Sequence, residues 1–120
     1  MNILEINGKK VNTFEINRGA SQTIVMVHGM LTNMSVFYFK IVPELAKYFH
    51  VVLYDLKSHG LSERCETGYD LVSLSNDLIG LLDILNIPQA NIVGYSYGGL
   101  IALNTAMLHP DRVQKVVIID

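Results

Sequence analysis

The chain has 120 residues, of which 50% are hydrophobic and 17% charged. Disorder needs the reverse balance, so a disordered tail is excluded, and the length allows one domain at most. The formal net charge is −2; no basic excess exists to attract a phosphate backbone, which argues against nucleic-acid binding. The single cysteine, Cys65, cannot form an internal disulfide and fits a reducing compartment. No apolar run approaches the roughly 18 residues of a membrane span. The opening Met1–Glu5 turns polar too quickly for a signal peptide. A soluble, cytoplasmic protein is the expectation.

Taken in chain order, Ile3–Ile6 and Val11–Ile16 read as two short strands. Asn7-Gly8 between them is a hairpin signal, because both residues tolerate positive φ. Thr23–Val27, Val51–Tyr54, Ile92-Val93 and Val116–Ile119 are continuous apolar runs. Runs without alternation predict strands buried on both faces, as in a parallel sheet. Phe37–Phe49 is expected to be helical with a break or restart at Pro43. Leu71, Leu74, Leu78, Leu81, Leu82 and Leu85 put one apolar stripe on a helix that stops near Ile87-Pro88. Leu100, Leu103, Met107 and Leu108 predict a second striped helix before His109-Pro110. The alternation predicts a three-layer α/β sandwich, with a mostly parallel sheet after an N-terminal antiparallel hairpin. Ligands in such sheets sit at the carboxyl ends of the strands. Those ends here are His28-Gly29, Asp55, Gly94–Ser96 and Asp120.

Gly94-Tyr95-Ser96-Tyr97-Gly98-Gly99 matches Gly-x-Ser-x-Gly, between a predicted buried strand and a predicted helix. A sharp strand-to-helix turn lifts the serine hydroxyl above the sheet, and small residues two before and two after it let the backbone pass. The serine then meets a helix N-terminus, whose N–H groups favour negative charge. Ser96 is therefore the candidate nucleophile, with Gly94 and Gly98 as the permissive glycines. A tight turn with a serine cap is the plainer alternative. His28-Gly29-Met30 supplies the second candidate: the Met30 N–H, paired with the N–H of Tyr97, as an anion hole. The His28 side chain reads as a structural hydrogen-bonding group. No His-x-x-His, His-x-x-x-His or Cys-x-x-Cys pair occurs, so no metal site is expected. Met30, Leu31, Met34, Phe37, Tyr38 and Phe39 read equally as substrate pocket or as core.

These landmarks together resemble the N-terminal part, through strand 6, of an α/β-hydrolase-fold protein, similar to small esterase-like members. Ile24–Met30 resembles strand 3 and the oxyanion loop. Tyr54–Ser62 resembles the Asp-x-x-Gly-x-Gly-x-Ser segment, with Ser58 and Lys57 replacing the usual glycine and arginine. Gly94–Gly99 resembles the nucleophile elbow, and His109–Asp120 the end of a helix followed by strand 6. The resemblance implies Ser96 as catalytic nucleophile, the Met30 and Tyr97 N–H groups as oxyanion hole, and neither metal nor organic cofactor.

In that family the acid and the histidine follow the serine in the chain. Residues 1–120 are thus expected to be the N-terminal portion of a single hydrolase domain whose cap and C-terminal portion lie outside this sequence. The expected function is a serine hydrolase acting on a small ester, thioester or amide through an acyl-enzyme. The acid and histidine would come from the rest of the chain or from a second polypeptide. The alternatives are a catalytically incomplete partner-binding half, or a lyase, carbon–carbon hydrolase or perhydrolase on the same fold. Without a following strand, Val116–Ile119 is expected to form an apolar sheet edge prone to pairing.

Overall fold

The computed structural model describes residues 1–120, in which strands and helices alternate from Asn2 to Ile119. The order is β1 (Asn2–Ile6), β2 (Lys9–Ile16), β3 (Thr23–Val27), α1 (Ser35–Tyr38), α2 (Ile41–Leu45), β4 (His50–Tyr54), α3 (Leu71–Ile84), β5 (Ala90–Tyr95), α4 (Tyr97–Leu108) and β6 (Val113–Ile119). The strands form one six-stranded sheet in the order β1-β2-β4-β3-β5-β6. The β1–β2 and β2–β4 pairs are antiparallel, and the β3–β4, β3–β5 and β5–β6 pairs are parallel.

Side chains alternate across a strand, so each buried strand feeds two cores. Val25 and Val27 of β3 and Val52 and Tyr54 of β4 join Leu74, Leu78, Leu81 and Leu82 of α3 and Ile101 and Ala102 of α4 on one face. Ile24, Met26, Val51 and Leu53 turn to the other face and meet Met34, Phe37 and Val42. The continuous apolar runs are thereby explained: both faces of the central strands are covered.

Local chemistry sets the boundaries. Asn7 and Gly8 both take positive φ, at 50° and 80°, the two left-handed positions of a tight hairpin turn. Asp70 caps α3 by accepting from the Ser73 N–H at 3.1 Å and the Ser73 hydroxyl at 2.7 Å; these bonds hold its carboxyl below the usual range. At the other end Asn86 is left-handed, at φ 58°. The Asn86 N–H donates to Asp83 O, and the Ile87 N–H reaches back to Leu82 O. This pair of bonds is a Schellman stop, and Pro88 follows it. The hairpin is tied to α3 by the Lys9–Asp77 ion pair at 2.7 Å and by the Asn7 amide on the same carboxylate.

Two sequence expectations are corrected. The break or restart expected at Pro43 falls earlier: the chain breaks between α1 and α2 and restarts at Ile41, which leaves Pro43 inside α2. Pro43 is the third residue of that helix, where its missing N–H has no intrahelical acceptor to lose. The leucine-rich stripe of α4 faces outward: Leu100, Leu103, Met107 and Leu108 are exposed, and Gly98, Gly99, Ile101, Ala102 and Thr105 are buried. The reason is proximity. A Cβ on Gly99 would sit 2.6 Å from Ile118 Cγ2, so the face toward the sheet is built mostly of small residues, with Ile101 the one large side chain on it. β6 is the outermost strand on its side of these six, with Val117, Ile118 and Ile119 exposed.

Leu78 on α3 is fully buried, whereas Leu103 on α4 is not. Leu78→Ala is expected to cost about 2–5 kcal/mol in urea unfolding, and Leu103→Ala under about 1 kcal/mol. Equal costs would contradict the inverted face of α4.

Candidate active site

β5 ends at Tyr95 and α4 begins at Tyr97, so Ser96 makes the whole turn. Its φ of 54° and ψ of −121° lie outside the regions open to an ordinary side chain. Such a conformation costs roughly 1–3 kcal/mol and persists only where the surroundings impose it. Here they do. The Ser96 N–H donates to Ile119 O of β6 at 2.8 Å, and Ser96 O accepts from the Gly99 N–H at 2.9 Å. The serine is pinned between sheet and helix, and its side chain is exposed.

The glycines are needed for space. A Cβ on Gly98 would stand 2.2 Å from Val27 O, and one on Gly94 would stand 2.3 Å from Gly98 O. The first turn of α4 therefore rests directly on the backbone of β3 and β5. Gly29 closes the arrangement: a Cβ there would lie 3.1 Å from Ser96 Cβ. The loop that leaves β3 thus runs against the serine. The Met30 N–H has no acceptor within the chain. The Tyr97 N–H is one of the unpaired donors that open any helix. Neither of the donors named from the sequence is engaged by another group of the chain.

His28 is buried at 0% exposure. Its Nε2 accepts from the Leu56 N–H at 2.9 Å. A backbone N–H can only donate, so Nε2 carries no proton and Nδ1 does. The Nδ1–H then donates to Gly29 O at 2.7 Å. With both nitrogens occupied, His28 cannot serve as base to Ser96. Burial pulls its pKa below the ordinary value; the Gly29 bond and Asp55 oppose this, and His59 adds to the lowering. No hydrogen bond reaches the Ser96 hydroxyl from any residue of this chain. His59, whose ring centre is 5.2 Å from that of His28, is held through Nδ1 to Lys57 O.

Asp55, at the end of β4, organises the loops around the site. Its Oδ1 accepts from the Met34 N–H at 2.9 Å, and its Oδ2 from the Asn12 amide at 2.9 Å and the Leu61 N–H at 3.0 Å. Gly60, at φ 51°, passes so close that a Cβ would strike the carboxylate. Sequence reading placed Asp55 at a strand end without seeing this role. Its signal was the Asp-x-x-x-x-Gly-x-Ser spacing, which returns Ser62 to donate to Asp55 O at 2.6 Å. Asp120, the other acid at a strand end, is exposed.

A cavity of about 580 Å³ opens beside the β3 loop, lined by Met30, Leu31, Thr32, Ser58, His59 and Tyr69 among others. Met34 and Phe37 are core residues, which divides the apolar cluster that sequence left undecided. Cys65 is half-buried in the loop before α3, its thiol on Glu63 O at 3.7 Å. No three histidine, cysteine, aspartate or glutamate side chains converge on a point that would hold a metal.

Two outcomes are expected. Gly98→Ala forces a Cβ into Val27 O and should destabilise the fold by about 3 kcal/mol or more, read by urea unfolding; a neutral result would contradict the close docking. His28 is neutral when folded, while the unfolded chain takes up its proton below about pH 6.5. Its contribution to stability is therefore present above that pH and is lost as pH falls below it. By NMR the ring should titrate below the ordinary histidine value, and a ring titrating at or above 6.5 would contradict its buried, neutral state.

A family model described as alpha/beta hydrolase fold matches residues 22–120. The 2-hydroxymuconate semialdehyde hydrolase of Pseudomonas sp. (strain CF600) is 35% identical over 117 residues, covering 95% of this chain and 41% of that protein. The crystal structure of the enol-lactonase from Burkholderia xenovorans LB400 superposes with a TM-score of 0.90 at 32% identity, over 96% of this chain and 45% of the lactonase. Epoxide Hydrolase A from Mycobacterium thermoresistibile gives 0.91 at 31% identity, over 98% and 37%. The chain spans less than half the length of each of these relatives. With the family model matched across the sheet from β3 to β6, this chain belongs to the α/β-hydrolase family.

Proposed function

We propose that this chain is the nucleophile-bearing portion of a serine hydrolase that cleaves a small ester, thioester or amide. The observation that carries the reading is Ser96 itself: exposed, left-handed, at the start of α4, and with Gly29 of the β3 loop packed against it. The close docking of α4 on the sheet imposes this backbone, and its result is an Oγ presented above the sheet, the use we assign to it.

In this mechanism Ser96 Oγ attacks the substrate carbonyl. Its proton passes to a base outside these residues. The carbonyl oxygen becomes an oxyanion, which the Met30 and Tyr97 N–H groups receive. One such donor is worth about 3–4 kcal/mol in the transition state. Collapse expels the alcohol, thiol or amine and leaves an acyl-enzyme, which water then hydrolyses. A relative described as an enol-lactonase supports ester-like chemistry at this site. The acid and histidine would be supplied by the remainder of the same polypeptide or by a second one. His28 is committed to Leu56 and Gly29 and cannot fill the role. The single free thiol suits a cytoplasmic setting.

A second reading rests on the same absence of a local base. The isolated 120 residues would be a binding or complementation partner that turns nothing over. Intact mass after exposure to a fluorophosphonate separates the two, since only an activated serine reacts quickly. A shift mapping to Ser96, lost in Ser96→Ala, is expected for the protein that carries an assembled base. Unmodified Ser96 in that protein would sink the hydrolase reading and leave the partner reading.

A further inference from the structure

The loop between β3 and α1 is held in an unusual way. Leu31 is left-handed, at φ 65°, and 96% exposed. Its side chain therefore buries nothing that would fix the loop. The order comes instead from one carbonyl. Gly29 O accepts from the Thr32 hydroxyl at 2.7 Å, from the His28 Nδ1–H at 2.7 Å and from the Thr32 N–H at 3.3 Å. The Thr32 hydroxyl also lies 3.4 Å from His28 Nδ1, so the two side chains share the same carbonyl.

That carbonyl belongs to the peptide unit that carries the Met30 N–H. The unit is planar and trans, so its C=O and N–H point in opposite directions. Whatever holds Gly29 O on one side aims the Met30 N–H on the other. Gly29 itself lies against Ser96, which places the aimed donor beside the nucleophile. We propose that Thr32 is a positioning residue, whose hydroxyl joins His28 in clamping the Gly29 carbonyl and so orients the Met30 N–H toward an oxyanion formed at Ser96. This rests on the reading of Met30 and Ser96 given above. It adds a side chain that touches neither substrate nor nucleophile.

Donor orientation matters most where charge develops, so the clamp acts on the transition state more than on the bound substrate. Thr32 is the cleaner half to test. His28 is fully buried and its removal disturbs Leu56 as well, whereas Thr32 is half-buried and Val matches its shape. In the protein that carries this chain, hydrolysis of p-nitrophenyl acetate would be compared for wild type, Thr32→Val, Thr32→Ser and Ser96→Ala. Alongside, the residual dipolar coupling of the Met30 N–H reports that bond's orientation without any need for activity. Thr32→Val is expected to lower kcat roughly tenfold, the scale of one lost hydrogen bond. KM should stay within about twofold, the Met30 coupling should change, and Thr32→Ser should restore both. If Ser96→Ala abolishes turnover but Thr32→Val leaves kcat intact, the clamp is overturned and the nucleophile stands. If Ser96→Ala stays active, the nucleophile reading falls; the clamp then stands or falls on the coupling alone. An unchanged Met30 coupling in Thr32→Val overturns it in every case.

Discussion

The direct contact of the α4 backbone with the carbonyls of β3 is the constraint on which the rest of this structure depends. Gly98 lies where any Cβ would stand 2.2 Å from Val27 O, and Gly94 lies under Gly98 O. With nothing between helix and sheet, the strand-to-helix turn has only one residue in which to reverse. That residue is Ser96, which therefore adopts a left-handed backbone and projects its side chain outward. The same closeness explains why the buried face of α4 is glycine, alanine and threonine with a single isoleucine, and why its leucines are left outside.

The second layer of control is polar. At the carboxyl ends of β3 and β4, His28 and Asp55 are both buried, and buried polar groups are tolerated only when satisfied. Each is satisfied chiefly by backbone groups of the neighbouring loops, Asp55 by N–H donors and His28 by one N–H and one carbonyl. The cost of burying them is thereby converted into loop geometry. His28 joins the β3 loop to the β4 loop, and Asp55 joins both of these to β2 through Asn12. A comparable network at the opposite end of the sheet has a different use. There His50 bridges Thr23 and Glu15 across three strands. Burial raises the Glu15 pKa, but its bonds from His50 and Arg18 outweigh burial and the net direction is down. No backbone donor is aimed there, and the network serves to fasten strand to strand.

Legibility from sequence followed the range of the interaction. The hairpin at Asn7-Gly8, the stop of α3 at Asn86–Pro88 and the elbow at Gly94–Gly99 are each decided within a few residues, and each was readable. The stripe of α3 was also readable, because a leucine face on a helix packed against a sheet is the common case. The stripe of α4 misled for the opposite reason: its packing partner is a backbone, which selects for small side chains rather than large ones. Pro43 misled because proline breaks a helix interior but fits a first turn. The role of Thr32 left no signal, because the turn of the loop and not its composition brings the hydroxyl onto Gly29 O; that of Asp55 showed only as a spacing, since its Met34 and Asn12 partners are brought near by the fold alone.

What the sequence determined by itself was the alternation of strands and helices, the hairpin, and the identity of Ser96, Gly94, Gly98, Gly29 and Met30 as candidate site residues. Local sterics and period-two or period-3.6 patterning are sufficient for these, because each depends on neighbours in the chain. Tertiary structure alone decided the strand order, the outward leucines of α4, the tautomer of His28 and the orientation of the Gly29–Met30 peptide. The first three depend on partners distant in sequence, such as Leu56 for His28 and Val27 for Gly98, and the last on the turn that the β3 loop takes within the fold. Hydrogen-bond direction and van der Waals contact are properties of pairs, and a single chain read in order does not contain the pairs.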